Sequence, residues 1–314
     1  MSLLVAVSGR NNRKLIAKLS NLLPDANIVE TVTSEEPRGD NDSVYNTVEF
    51  VLAWNPSPDI WHKIPHLKAI SSYGAGVDSL LTQSNLPNVP IARIVDPNLA
   101  VSMSEYVQHA IGYFKLRFNQ YLNNKQTQTY KPRRAKSQKR VGVLGLGQLG
   151  VAVAQHLSNL GYQVSGWSRN PKDINNIACF NGKEQLGAMV SDVDYLVCLL
   201  PLTDDTRGIL NKSLFDAMPQ GSVLINVARG NHLNEQDLLE ALASEQLSGA
   251  ALDVFSQEPL PAEHPFWQQP NILLTPHVSA VTSVDTACEQ IAANYRAMQQ
   301  GQPLNNVVDV KLGY

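Results

Sequence analysis

The sequence predicts an α/β protein of two doubly wound parallel sheets. Three observations carry that expectation. Short, nearly continuous apolar runs recur along the chain, helical patterns lie between them, and a polar stretch at 123–140 separates a first alternating series from a second. Apolar runs of strand length suit strands buried on both faces, and their alternation with helices marks βαβ units. A chain of 314 residues, 43% hydrophobic and 17% charged, holds enough material for two cores of ordinary size.

In the first series, "LLVAVS" precedes the helical "RKLIAKLSNLL", "VEFVLAW" precedes "DIWHKI", "LKAISSY" leads into a glycine-containing turn, and "VPIARIV" follows. Beyond Ser104, the residues Val107, Ala110/Ile111, Phe114, Phe118 and Tyr121/Leu122 recur at helical spacing. This predicts one amphipathic helix over 104–122 with Ser104 as its cap. The stretch 123–140 has seven Lys or Arg, no acid and no apolar period. It reads as a solvated connecting loop in preference to a nucleic-acid arm. The second series runs "RVGVLGLG", "QVSGWSR", "DYLVCLLP", "SVLINVARG", "GAALDVF" and "NILLTPH", with "QLGVAVAQHLSNLG" and "NEQDLLEALASEQ" as helices between strands. Gly161 suits the stop of the first helix, and Asn234 with Asp237 the start of the second. A last helical segment, "SVDTACEQIAANYRAMQQG", precedes a short tail.

Composition excludes several functions. A formal net charge of −3 argues against a nucleic-acid partner. Cys179, Cys198 and Cys288 have no metal-ligand or redox spacing and read as buried thiols in a reducing compartment. The opening "MSLLVAVSGR" has no basic residue before its apolar run, so it reads as a first strand and not a signal peptide. No stretch approaches membrane-spanning length. A cytoplasmic protein with no membrane partner and no metal is expected.

The stretch "VGVLGLGQLG" sets Gly145, Gly147 and Gly150 in G-x-G-x-x-G spacing. The spacing alone is weak. Lying after an apolar strand and at the opening of a helix, it is a dinucleotide-binding fingerprint and predicts a Rossmann domain. Gly145 permits the tight turn, Gly147 lets backbone approach a pyrophosphate, and Gly150 lets helix and sheet pack closely. The amides of Gln148 and Leu149 would face phosphate oxygens at the positive end of the helix. The next strand ends in Ser168 and Arg169, nineteen residues beyond Gly150, where NAD would require an acid for its ribose hydroxyl. A guanidinium at that place can grip a 2′-phosphate that a carboxylate would repel. NADPH is therefore the expected cofactor, with NADH secondary. Asp173, beyond Pro171, reads as surface.

Ligands of such a sheet sit at the carboxyl ends of its strands, and three polar residues arrive there. Arg229 follows "VLINVA", Glu258 lies in the turn after "AALDVF", and His277 follows "NILLTP". His62, His66, His109, His156, His232 and His264 fall on helical or loop stretches, where a surface role is the default. An arginine would grip a substrate carboxylate, a histidinium would protonate a forming alkoxide, and a glutamate would stabilise that imidazolium. Three unrelated surface residues remain the plain alternative.

Taken in order, "VGVLGLGQLG", "LLPLTDDT", "NVARG", "AALDVFSQEPLP" and "TPHVSA" resemble the D-isomer-specific 2-hydroxyacid dehydrogenases over nearly the whole chain. Within that family, "SYGAGVDSLL", "MSEYVQHAIGYF", "GWSRN", "HPFWQQPNILLTPHVSA" and the terminal "GY" resemble the bacterial glyoxylate/hydroxypyruvate reductases of the A type. The resemblance implies that Arg229, Glu258 and His277 are catalytic and that the amides around Ala75, Gly76 and Val77 hold the substrate carboxylate. It implies that Leu200, Pro201, Thr206 and Ala228 line the cofactor groove and that Asp253 meets the nicotinamide carboxamide. Trp54 is either a wall of the substrate pocket or a core tryptophan. The implied fold is a flavodoxin-like discontinuous substrate domain, 1–99 with 284–314, around a cofactor domain, 100–283. The implied reaction is reduction of a small 2-keto acid by a homodimer joined through the 104–122 region. Open alternatives are a D-lactate or phosphoglycerate dehydrogenase and a dinucleotide-sensing, corepressor-like binding protein; Glu258 argues against a formate dehydrogenase.

Overall fold

A computed structural model of the chain describes residues 2–31 and 42–310; the terminal Gly313–Tyr314 pair lies outside the described residues. The chain divides into two compact units, Met1–Asn98 with Thr282–Tyr314, and Leu99–Val281.

In the first unit, β1 (Ser2–Val7), β2 (Asn27–Glu30), β3 (Val48–Trp54), β4 (Ala69–Ser72) and β5 (Ile91–Ala92) form a parallel sheet in the order β2-β1-β3-β4-β5. Successive side chains of a strand point to opposite faces. Leu3, Val5 and Val7 accordingly pack with Leu15 and Leu19 of α1 (Arg13–Leu22) and with Ile291 and Tyr295 of the helix Val284–Gln299. Leu4 and Ala6 pack on the other side with Ile60, Trp61 and Leu80. Two short helices, α2 (Asp42–Tyr45) and α3 (Asp78–Leu81), complete the connections along with a 3₁₀ turn at Pro58–Lys63.

The second unit opens with α4 (Pro97–Lys115), which begins two residues before the unit boundary, and α5 (Phe118–Gln126). Seven parallel strands follow: β6 (Arg140–Leu144), β7 (Gln163–Ser168), β8 (Ala178–Asn181), β9 (Tyr195–Cys198), β10 (Ser222–Asn226), β11 (Leu247–Leu252) and β12 (Ile272–Leu274). Their order is β12-β11-β10-β9-β6-β7-β8, with α6 (Gln148–Asn159), α7 (Gly182–Val190), α8 (Lys212–Ala217) and α9 (Glu235–Ala243) as crossovers. Asn234 caps α9 by accepting the Asp237 amide, and Gly161 takes φ +84 where α6 ends.

The single helix expected over 104–122 is two helices. Arg117 breaks it with φ 64, and its Nε donates to Arg134 O at 2.8 Å. Ser104 is no cap; it lies within α4 and its hydroxyl donates to Ala100 O. The apolar period survives the break, so the sequence pattern does not register it. Burial does: Val107, Ile111 and Phe114 are enclosed, whereas Phe118 and Leu122 are about half exposed, at 49% and 55%. The polar loop starts only after Gln126, and Cys179, expected to be buried, is partly exposed on the edge strand β8. Among the described residues no helix is long and apolar enough to cross a membrane.

Helix α4 lies on β11 through a missing side chain. A Cβ at Gly249 would stand 2.4 Å from the ring of Phe114, which is itself fully buried. Gly249→Ala should therefore destabilise the protein by about 1–3 kcal/mol, the usual range for overpacking. Thermal unfolding measures this, and an unchanged Tm would show that the contact relaxes freely.

Candidate active site

All strands of the second unit run parallel, so their carboxyl ends share one edge, and the strand order reverses between β6 and β9. Ligand sites form at such reversals. The three glycines after β6 explain how the edge is shaped. Gly145 has φ +100, and a Cβ there would lie 2.7 Å from Leu199 O, so the turn presses against the chain leaving β9. At Gly150 a Cβ would come within 1.7 Å of Gly145 O, which fixes how closely α6 meets its turn. Gly147 faces open space and precedes Gln148, the first residue of α6. The amides of Gln148 and Leu149 lie in the first turn, where no carbonyl precedes them to accept.

The loop after β9 is held by Thr206, whose Oγ1 donates to Pro201 O at 2.7 Å and accepts the Thr203 amide at 2.9 Å. Thr206 and Leu200 are buried, so their side chains support the loop, and Pro201 is its exposed surface. Ser168 ends β7 and donates to Asn170 O at 2.8 Å. Arg169 next to it is exposed and 3.5 Å from Asp205.

Arg229, Glu258 and His277 come together. His277 Nδ1 lies 2.9 Å from Glu258 Oε2, and the Phe255 amide donates to Glu258 Oε1 at 3.0 Å. Arg229 is near enough for its charge to act on Glu258. Burial alone pushes the Glu258 carboxyl up. The bonds from His277 and the Phe255 amide, with the charges of His277 and Arg229, outweigh it and hold the group below the usual glutamate range. Glu258 is thus a carboxylate, so Nδ1 is the protonated nitrogen and Nε2 is left to exchange a proton with a ligand. Both side chains are a little over one-third exposed, at 36% for His277 and 38% for Glu258, so a solute can reach them.

Gly230 and Asn226 support this group, roles that the sequence did not assign to them. A Cβ at Gly230 would lie 1.8 Å from the carbonyl carbon of Phe255, so only glycine lets the arginine loop meet the glutamate loop. Asn226, fully buried at the end of β10, donates to Arg229 O at 3.0 Å and accepts the Ala228 amide at 3.2 Å. Its signal was present as a polar residue inside "VLINVARG". Ala228 is buried, and its carbonyl accepts from Arg229 Nη1.

Asp253, just beyond β11, is held by the chain that follows β12. It is fully buried and accepts bonds from Thr275 Oγ1 (2.6 Å), the Val278 amide (2.9 Å) and the Ser279 amide (2.8 Å). Its carbonyl also accepts the His277 amide at 2.8 Å. These bonds wrap the loop around His277, whose φ is +56. Thr275 in turn meets Tyr106 Oη of α4 at 2.6 Å. His232, expected on the surface, is completely buried.

In the first unit, the Trp54 ring covers Gly74, where a Cβ would lie 2.3 Å from it, and Trp54 is partly buried against the core. Ala75, Gly76 and Val77 follow in a loop held by Ser72, whose hydroxyl donates to Gly76 O at 3.0 Å and accepts the Gly74 amide. Among the described residues no cluster of His, Cys, Asp and Glu could hold a metal ion.

Residues 111–279 match the family model described as D-isomer specific 2-hydroxyacid dehydrogenase, NAD binding domain. The chain is 41% identical over 313 residues to glyoxylate/hydroxypyruvate reductase A of Serratia proteamaculans, covering 97% of each chain. It is 40% identical over 307 residues to the protein of the same name from Photorhabdus laumondii, covering 95% of each. Its fold superposes, with a TM-score of 0.90 and 33% identity, on a D-isomer specific 2-hydroxyacid dehydrogenase from Xanthobacter autotrophicus in complex with NADPH and MES. The same values relate it to an NADPH-dependent glyoxylate/hydroxypyruvate reductase from Sinorhizobium meliloti in complex with NADP and sulfate. In both cases 100% of this chain and 99% of the other are covered.

A carboxyl held below its ordinary range contributes stability above that range and loses it as pH falls through the folded value. Glu258→Gln should therefore lower Tm at neutral pH, and the gap to the parent protein should close on acidification below the usual carboxylate range. A gap independent of pH would mean that the ionised carboxylate contributes nothing.

Proposed function

The chain belongs to the D-isomer-specific 2-hydroxyacid dehydrogenase family, and on that premise we propose that it reduces small 2-keto acids with NADPH, glyoxylate to glycolate and hydroxypyruvate to D-glycerate. It is an NAD(P)-dependent oxidoreductase. The observation that carries the finer reading is the His277–Glu258 pair at 2.9 Å with Arg229 beside it, at the strand ends that also present the glycine loop.

The residues fit the dinucleotide. Gly147 leaves open space where backbone must approach a pyrophosphate, and the first amides of α6 point the positive end of a helix toward it. Arg169 stands where NAD would need an acid, and its exposed guanidinium can turn from Asp205 to a 2′-phosphate. The NADPH and NADP in the matched structures and the names of the curated relatives support the same reading. When bound, NADPH supplies the hydride that reduces the keto carbon.

The chain's own residues then have three tasks. Arg229 pairs with the substrate carboxylate through its planar fork and polarises the adjacent carbonyl. His277 gives its Nε2 proton to the carbonyl oxygen as charge develops there, which balances the reduction to a 2-hydroxy acid. Glu258 stays ionised, keeps Nδ1–H oriented and stabilises the imidazolium that precedes transfer. A homodimer through the α4–α5 region belongs to the same reading. It is supported by Leu116, Phe118 and Leu122, about half exposed at 47%, 49% and 55%. A solution mass near 34.5 kDa would overturn it.

NADPH consumption with a panel of 2-keto acids tests the activity, and failure on every member would remove the reductase. His277→Ala should lower kcat by about a hundredfold or more while leaving NADPH binding largely intact. Arg229→Lys keeps the charge and loses the fork, so kcat/KM should fall by about a hundredfold. Arg169→Ala should raise KM for NADPH about tenfold and leave NADH kinetics nearly unchanged; equal effects on both cofactors would exclude a 2′-phosphate contact.

A further inference from the structure

His232 is completely buried, yet it lies on the short turn Gly230–His232 that leaves the arginine loop, and the proposed chemistry makes no use of it. A buried imidazole is unfavourable unless both ring nitrogens find partners. Here they do. Nδ1 lies 3.2 Å from the Arg229 amide nitrogen, and Nε2 lies 3.2 Å from Pro201 O. The Arg229 amide can only donate and the Pro201 carbonyl can only accept. Nδ1 must therefore present its lone pair and Nε2 must carry the proton. An imidazolium would set one N–H against another. The Arg229 carbonyl, also near Nδ1 at 3.1 Å, takes its bonds from the His232 amide at 3.2 Å and Asn226 Nδ2 at 3.0 Å.

The ring thus joins two loops by its two ends. One end holds the backbone of Arg229. The other holds Pro201, whose carbonyl also accepts from Thr206 and whose loop follows Leu199, against which the Gly145 turn is pressed. Main-chain bonds run beside it, from Gly208 to Asn231 O and from Leu210 to His232 O, each at 2.9 Å. A planar ring with one donor and one acceptor is satisfied only while both loops keep this spacing.

We propose that His232 is a positioning residue that couples the arginine of the substrate site to the Leu200–Thr206 loop of the cofactor groove. This deepens the reductase reading and rests on it. Neutral and fixed in one tautomer, the ring sets the direction in which Arg229 leaves β10 and the height of Pro201 beside the glycine loop.

Two variants separate its ends. In His232→Asn, the side-chain oxygen can still accept from the Arg229 amide, but nothing reaches Pro201. In His232→Gln, the amide reaches the place of Nε2 and can donate to Pro201, but the acceptor for Arg229 is lost. NADPH dissociation constants from fluorescence titration and glyoxylate KM and kcat from turnover are measured for both. The asparagine variant should bind NADPH about tenfold more weakly with glyoxylate KM little changed, as one lost hydrogen bond implies. The glutamine variant should show the reverse split. Equal losses in both constants for both variants, or a lower Tm with neither constant altered, would reduce His232 to core filling and overturn the proposal. Should one variant fail to fold, the one-sided loss expected of the other still decides. If the parent protein turns over no 2-keto acid, the reductase reading fails, while the NADPH titrations still report on the Pro201 end.

Discussion

The arrangement depends first on one buried carboxylate. Asp253 is closed off from solvent at the end of β11, where an ionised group is costly unless its lone pairs are filled. It fills them with the chain that follows β12: the Thr275 hydroxyl and the amides of Val278 and Ser279. Those bonds bend the loop so that His277 sits between them in a left-handed conformation that a side chain ordinarily avoids. Burial pushes the Tyr106 phenol up to about 12, against the Thr275 bond and aided by the Asp253 charge, so it keeps its proton. With the Thr275 proton given to Asp253, Tyr106 must be the donor to Thr275. The histidine is thus aimed by a chain of bonds reaching back to α4, and Glu258 receives a ring already placed.

Small residues decide which loops can meet. Gly150 lets α6 approach its own turn, Gly145 lets that turn touch the β9 exit, and Gly230 lets the arginine loop pass against Phe255. At each of these positions the nearest obstacle to a Cβ is backbone, which cannot swing away as a side chain can. The strand ends supply the polar groups, and the glycines set the distances at which those groups act.

This division explains what was legible in the sequence. Parallel strands buried on both faces write themselves as apolar runs, so both sheets could be read, and the glycine spacing marked the dinucleotide loop. Arg229, Glu258 and His277 stood out because each interrupts or follows an apolar run at a strand's carboxyl end. The break at Arg117 could not be read, because the apolar period continues across it and only burial changes. The burial of His232 is hidden from the sequence for a related reason. Its neighbours Asn231 and Asn234 are polar, and nothing local shows that Pro201, thirty-one residues earlier, supplies an acceptor inside the fold. Asp253 likewise stands at a strand end in the sequence, but its bonds to Thr275, Val278 and Ser279 come from a distant loop that no local pattern reveals.

The proposed cofactor discrimination rests on the difference between a fixed charge and a movable one. Ser168 is tied into the β7 exit by its bond to Asn170 O and brings no charge. The adjacent Arg169 pairs with Asp205 at 3.5 Å where both side chains are about half exposed, and Lys183 shares the same carboxylate at 3.4 Å. Such a surface pair is weak and screened, so the guanidinium can leave it at little cost. A 2′-phosphate offers two negative charges and oxygens that match the guanidinium fork, whereas a ribose hydroxyl offers neither. A carboxylate built into the strand end would repel that phosphate and could not be moved aside, because the strand would hold it there. The preference proposed for NADPH therefore draws on the absence of a rigid acid as much as on the presence of the arginine.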